Sequence, residues 1–174
     1  VQVINKEGTI IAEAAGTREV NLPVSRTYEE GDRVVFLVDE TPAFYVFQAD
    51  DALGEALVYV TGEVSYEIPF GEKKVCYSPK IFSGESHLVT ARKAREWEYE
   101  SYRNLAVNVM DQHGDTNCYP HATANVETRG ESVFAARNAI DGVTSNHSHG
   151  YWPYGSWGIN RNPQATMRVD FGRE

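Results

Sequence analysis

The 174-residue sequence carries 25 acidic and 16 basic residues, a formal net charge of −9 at neutral pH. This balance argues against a nucleic-acid partner, because binding to a phosphate backbone relies on clustered lysine and arginine. Hydrophobic residues make up 41% of the chain and charged residues 24%, as in an ordinary globular protein. No apolar run is long enough to span a membrane and no signal segment opens the chain. The sequence therefore predicts neither a nucleic-acid nor a membrane partner.

The first ninety residues alternate short apolar runs with turn-forming segments. Spacings near ten residues and the lack of a sustained helical period favour an all-β fold built as a small sandwich or barrel. Tyr45 and Phe47 alternate with their neighbours, which predicts that both face the core. The predicted strands are 1–4, 9–12, 19–24, 33–38, 43–48, 57–61, 64–69 and 87–91.

Residues 96–103 are predicted to link an N-terminal β-sandwich module, 1–95, to a second module, 104–174. The run Glu96-Trp-Glu-Tyr-Glu100 alternates with period two, which favours an extended strand. A short helix from Ala91 with an Arg92/Glu96 pair is the alternative. In both cases Trp97 is predicted to pack between the modules.

The second module contains a long loop between two ordered segments. Asn138-Ala-Ile-Asp-Gly142 ends in a turn dipeptide, and Met167 to Phe171 alternates as a half-buried strand does. The loop between them is dense in aromatic and hydrogen-bonding side chains, the usual composition of a binding site. Residues 111–117, upstream, are polar and turn-rich and predict a surface loop.

These motifs carry a family resemblance. Asn138-Ala-Ile-Asp-Gly142, a tryptophan in the following loop and Arg168-Val-Asp-Phe-Gly172, in that order, resemble the signature of discoidin-like (coagulation-factor type C) domains. Asn104-Leu-Ala106 resembles the opening of such a domain, and 121–126 its first core strand. The family has a galactose-binding-like jelly-roll β-sandwich and includes the family 32 carbohydrate-binding modules.

The resemblance implies a fold and a setting. It covers about seventy residues, roughly half of such a domain, whose usual size falls in the ordinary domain range. We therefore expect two β-sandwich modules, the second incomplete at its C-terminus and completed by further sequence of the same protein. An extracellular location follows if the family habit holds, and a cytoplasmic one if Val1 is near the native start.

The loop residues predict non-catalytic carbohydrate binding. Trp152 and Tyr154 offer faces on which the C–H face of a sugar stacks, and other side chains offer hydrogen bonds to hydroxyls. The resemblance implies a glycan, of galactose type, as the partner. Trp157 is predicted instead to be a core tryptophan. The candidate ligand-binding residues are His147, His149, Trp152, Tyr154, Asn160 and Arg161.

A calcium ion is the one cofactor that the resemblance implies, and it is not required for the predicted function. The candidate ligands are Asn138, Asp141, Thr144 and Ser145. Calcium takes six to eight oxygen ligands, and this run is poor in acids. A turn in which Asp141 bonds to its own backbone is an equally good interpretation.

Two other functions remain open. His113, His121, His147 and His149 fall close enough in sequence to suggest a metal-dependent enzyme, with Asp115 as a further ligand. No HExxH spacing or nucleophile motif supports catalysis, so we expect no enzymatic activity. A structural or protein-binding sandwich is the third function. Cys76 and Cys118 fit no metal spacing, and two unrelated thiols are favoured over a disulfide.

Overall fold

The protein is built from short antiparallel strands. The computed structural model describes residues 1–147, 152–153 and 156–174. Within these ranges one α-helix, α1 (Glu96–Glu100), and two 3-10 helices, Gly71–Cys76 and Ala136–Ala139, accompany the strands. The predicted all-β fold is confirmed. The strands are β1 (Gln2–Ile4), β2 (Ile10–Glu13), β3 (Glu19–Val24), β4 (Arg33–Phe36), β5 (Ala43–Gln48), β6 (Ala56–Val60), β7 (Val64–Glu67), β8 (His87–Lys93), β9 (Cys118–Tyr119), β10 (His121–Ala124) and β11 (Met167–Asp170).

Strands β1 to β9 form two sheets around one hydrophobic core. The first sheet has the order β2-β1-β4-β7, and the second has the order β3-β8-β5-β6-β9. Phe36 of the first sheet stacks on Phe47 of the second, with ring centroids 4.2 Å apart. Both rings are fully buried, and Tyr45 is nearly so, which confirms the predicted core face of β5. Apolar side chains from both sheets thus bury each other, the usual source of stability in a sandwich.

The second sheet contains strands from both sides of the predicted linker. Its edge strand β9 comes from the C-terminal part of the chain and pairs antiparallel with β6, Tyr119 opposite Tyr59 and Cys118 opposite Val60. The division into 1–95, 96–103 and 104–174 stays a prediction. Whatever the boundary, a strand from beyond residue 104 extends the sheet of the N-terminal part.

A third, two-stranded sheet holds the start and the end of the C-terminal segment together. Strand β10 pairs antiparallel with β11, His121 opposite Asp170 and Ala124 opposite Met167. Its apolar side packs on a small cluster formed by Ala122, Ala136 and Ile140, against which Trp157 and Val169 are partly buried. This small sheet frames the loop that was predicted to bind ligand.

The linker departs from the sequence prediction. Residues 96–100 form the helix α1, so the favoured extended strand is wrong, and the alternative helix begins later than expected. Glu98 stabilises the first turn of this helix. Its carboxylate accepts a hydrogen bond from the backbone N–H of Arg95 and one from each terminal nitrogen of Arg92, all at 2.7 Å. A bidentate charged contact of this kind outweighs the weak period-two pattern.

Trp97 also differs from its prediction. Its side chain is 62% exposed, so it does not pack between modules. The contact is made by Tyr99, whose ring stacks on Phe44 of β5 with centroids 4.6 Å apart. Helix α1 therefore rests on the outer face of the second sheet through a tyrosine, not the tryptophan.

Two smaller predictions concern the thiols and membranes. Cys76 and Cys118 are both free and buried, which confirms two unrelated thiols. In the part of the chain that the structure describes, no helix is both long and apolar enough to cross a bilayer.

Candidate functional site

The loop predicted to bind ligand starts at a tight turn. The carboxylate of Asp141 accepts the backbone N–H of Val143 at 2.8 Å, and Gly142 has φ +80°. Glycine adopts this left-handed conformation without the steric cost that a side chain would carry. The carboxylate therefore acts as a turn former, the role that Asp residues often have before glycine.

Trp157 anchors the far end of the loop. Its indole N–H donates to the carbonyl of Val126 at 2.8 Å, and its ring is partly buried against the small cluster under β10. The next residue, Gly158, is wedged between two segments, where an added Cβ would lie 2.7 Å from Thr128 Oγ1 and Phe134 Cβ. These contacts agree with the predicted scaffold role of Trp157.

The candidate ligand-binding residues are spread along the loop. His147 is exposed and Trp152 is half-buried, with the Trp152–Pro153 peptide bond cis. Asn160 and Arg161 are exposed neighbours on one turn, both at positive φ (47° and 58°). The structure thus places Asn160 and Arg161 side by side. Among the described residues, no hydrogen bond or ion pair joins them to His147 or Trp152. His149 and Tyr154 lie outside the described residues.

The four candidate calcium ligands differ in their surroundings. Asn138 is buried, donates to the carbonyls of Val133 and Ser156, and accepts from Arg137 at 3.3 Å. The carboxylate of Asp141 lies 3.7 Å from the Arg137 guanidinium. Burial raises the pKa of Asp141, and the nearby guanidinium opposes that rise. Thr144 and Ser145 are exposed.

This arrangement fits a calcium ion poorly. The guanidinium of Arg137 already lies against Asp141, the only carboxylate of the set. The side-chain amide of Asn138 is already hydrogen-bonded to other residues of the fold. A calcium ion would need six to eight oxygens from the same region. Within the described ranges, no group of three or more His, Cys, Asp or Glu side chains is placed to hold a metal. Calcium binding stays a prediction.

Three of the described histidines, His87, His113 and His121, lie beside separate carboxylates rather than at a shared centre. His113 Nε2 lies 2.5 Å from Glu127 and Nδ1 lies 3.3 Å from Glu131, on the surface. His121 Nδ1 lies 2.7 Å from the carboxylate of Asp111, in the interior. Such separate pairs do not form the three-ligand site of a catalytic zinc.

A buried polar network lies beneath the loop. Asp111 is nearly inaccessible, although residues 111–117 were predicted as a surface loop, so that prediction is wrong at its first residue. Its carboxylate binds His121 and accepts the backbone N–H of Ala122 at 2.9 Å. The hydrogen bond that His121 donates to the Asp111 carboxylate raises the pKa of His121, and burial opposes this rise. The network explains the burial, because a carboxylate in the interior needs such partners.

Arg137 joins this network to the segment around Cys76 and Tyr77. Its guanidinium donates to the backbone carbonyls of Asp111, Val109 and Cys76 at 2.8, 3.0 and 3.2 Å. It also lies 4.1 Å from the centroid of the Tyr77 ring. Sequence reasoning missed Arg137, because an arginine between Ala136 and Asn138 carries no local signal of burial.

A cleft of about 480 Å³ opens beside Arg137. Lys73 bridges its two acidic walls, at 2.9 Å from Glu67 and 3.4 Å from Glu131. The hydrogen bond that Lys73 donates to the Glu67 carboxylate raises the pKa of Lys73, which keeps the amine charged. Both carboxylates of this cleft are therefore ion-paired with the same ammonium.

Comparison of the chain with family models, with curated proteins and with solved structures finds no match. The sheets alone define the class of this chain, which is an all-β protein of antiparallel sheets. The discoidin-like resemblance stays a prediction from the motifs.

Proposed function

We propose that this protein is a non-catalytic carbohydrate-binding module whose glycan site is the loop between Gly142 and Arg161. Trp152 supplies the stacking face, and His147, Asn160 and Arg161 supply hydrogen bonds to sugar hydroxyls. His149 and Tyr154 belong to the same predicted set. The galactose type of the glycan and a discoidin-like second module are parts of this proposal that rest on the motif resemblance.

One observation carries the proposal: the loop is held at both ends while its polar side chains remain accessible. The turn at Asp141 begins the loop, and the hydrogen bond from Trp157 to the carbonyl of Val126 holds its far end against the segment that follows β10. His147, Asn160 and Arg161 are exposed between or beside these anchors. Binding residues on a loop that a rigid scaffold positions are the usual arrangement in β-sandwich binding proteins.

The contacts of the histidines favour binding over catalysis. His113 and His121 are committed to separate carboxylates, and the acids near Lys73 are paired with it. A metal-dependent enzyme would need these groups to converge on one ion. The proposal needs no metal. Asp141, the only carboxylate among the candidate calcium ligands, already has the Arg137 guanidinium as its charged neighbour.

A glycan array on the purified chain tests this proposal. We expect selective binding to a small group of glycans, with galactose-terminated structures among them, in the presence of excess chelator. A chain that binds no glycan on the array would contradict the proposal and leave a structural or protein-binding role. Stoichiometric zinc or iron in the purified protein would favour the enzyme instead.

A further inference from the structure

A second cleft, of about 780 Å³, lies on the outer face of the five-stranded sheet, away from the loop that we propose for glycans. Phe44, Tyr59 and Tyr119 stand in register on three adjacent strands and form a row across this face. The C-terminal residues cross the row, and an added Cβ at Gly172 would lie 2.4 Å from the Tyr119 ring. The lining residues are Phe44, Leu57, Tyr59, Arg103, Leu105, Tyr119, Pro120, Phe171, Arg173 and Glu174.

Two arginines flank this apolar cleft. Arg173 lies 4.7 Å from the centroid of the Phe44 ring and 5.6 Å from that of Tyr59. Arg103 is half-buried, and its Nε is buried without a hydrogen-bond partner in the described part of the chain. Neither arginine forms an ion pair among the described residues, whereas Arg26, Arg92 and Arg137 all do.

The positive charges of Arg103 and Arg173 repel each other. Burial and the neighbouring charge of Arg173 both lower the pKa of Arg103. A buried donor without a partner costs free energy, and more so on a charged group. Glu174 is the one acidic residue that lines the cleft. Two guanidinium groups and one acidic side chain therefore line this cleft, in a chain whose net charge is −9.

We propose that this cleft binds a small organic acid, through a carboxylate held by Arg103 and Arg173 and an apolar body held by the aromatic row and Leu105. A guanidinium matches a carboxylate with two parallel N–H donors, which makes it the preferred partner for this anion. The apolar walls distinguish the site from a simple surface anion site, since they bury the body of the ligand. This site is separate from the glycan loop, so either one can fail without the other.

Phenylacetate and its neutral isostere phenylacetamide test the proposal on the intact chain. Titrations followed by amide NMR shifts should show phenylacetate binding about tenfold more tightly, the ratio that one charged contact worth 1.4 kcal/mol produces. The shifted amides should be those at 44, 57–59, 103–105, 119 and 171–174. Arg103→Gln and Arg173→Gln should each remove most of the preference for the acid. Arg129→Gln, on an exposed arginine that does not line the cleft, is the matched control and should change nothing.

Several results would overturn the proposal. Equal affinity for the acid and the amide would show that the arginines do not hold the carboxylate. Shifts confined to the glycan loop would place the ligand elsewhere. Tighter binding of galacturonate than of phenylacetate in this cleft would replace the apolar acid by an acidic sugar. Self-association of the chain through this face, with no binding of phenylacetate, would make the cleft a protein-docking surface.

Discussion

The guanidinium of Arg137 lies 4.1 Å from the centroid of the Tyr77 ring while its nitrogens donate to the backbone carbonyls of Cys76, Val109 and Asp111. Tyr77 follows the 3-10 helix Gly71–Cys76, and Arg137 lies in the 3-10 helix Ala136–Ala139. One buried side chain thus ties the C-terminal part of the chain to the N-terminal sandwich. We expect the position of Asp141, where the proposed binding loop begins, to depend on this arginine.

Replacing Arg137 with alanine should destabilise the whole chain. Three buried carbonyls would lose their donor and Asp141 its neighbouring charge, a loss of about 3 kcal/mol or more in the free energy of unfolding. Urea unfolding measures this. Arg137→Lys should recover only part of the loss, because an ammonium lacks the planar fork that reaches several acceptors. A change below about 0.5 kcal/mol, the range of ordinary surface substitutions, would show that the network does not hold the fold.

The His121–Asp111 pair should make stability depend on pH. The pKa of His121 is raised in the folded state, so its stabilising contribution is fully present below the unfolded value of 6.5 and is lost as pH rises through the folded value. The difference in unfolding free energy between the wild type and His121→Gln should therefore be larger at pH 5.5 than at pH 8.5. Denaturant titrations at the two pH values measure it.

The control for this pH effect is Asp111→Asn, which removes the carboxylate that accepts from His121. In that background the burial of His121 remains without its carboxylate, so the effect of His121→Gln should no longer grow towards acidic pH. A difference that grows towards alkaline pH in the wild type would contradict the assigned cause.

Gly172 should tolerate no side chain. Its φ is +68°, and a Cβ would lie 2.4 Å from Tyr119 Cδ2. Gly172→Ala should cost about 2 kcal/mol or more, the sum of backbone strain and a forced shift of a ring. Gly130→Ala is the matched control, because Gly130 has φ +63° and nothing within 4 Å of an added Cβ. Equal thermal shifts for the two variants would show that the Tyr119 contact contributes nothing.

The strands of the N-terminal part could be predicted from local pattern. Residues 19–24 and 43–48 were expected as strands and are observed as Glu19–Val24 and Ala43–Gln48. Their apolar alternation and flanking turns lie within the segments themselves, and pairing with neighbours did not have to be known. The Asp141–Gly142 turn was likewise visible, because the sequence of a tight turn determines its backbone conformation.

The features that sequence reasoning missed depend on distant partners. The run Glu96-Trp-Glu-Tyr-Glu100 alternates like a strand but forms a helix, because Glu98 binds Arg92 on β8. Asp111 lies in a polar, turn-rich run but is buried, because its partner His121 comes ten residues later, on β10. Arg103 and Arg173 come together only through the fold. Contacts of this kind are absent from any local window of sequence.

Trp157 should act as scaffold rather than as ligand contact. Trp157→Ala removes an aromatic ring from the small cluster and its hydrogen bond to Val126, and should lower the unfolding free energy by about 3 kcal/mol. Trp157→Phe should restore part of this through packing alone. Thermal unfolding measures both variants. A melting temperature for Trp157→Ala equal to that of the wild type would contradict the scaffold role.

Calorimetric titration of a galactose-terminated glycan into the wild type and Trp152→Ala tests the carbohydrate-binding proposal most directly. If Trp152 is the stacking platform, its loss should weaken binding by about 1–3 kcal/mol, the range for an aromatic hot spot. The melting temperature should stay unchanged, because Trp152 is only half-buried. Phe at this position should keep most of the affinity, since it preserves a flat aromatic face. A wild type that binds no glycan, or a Trp152→Ala variant that binds as tightly as the wild type, would contradict the account.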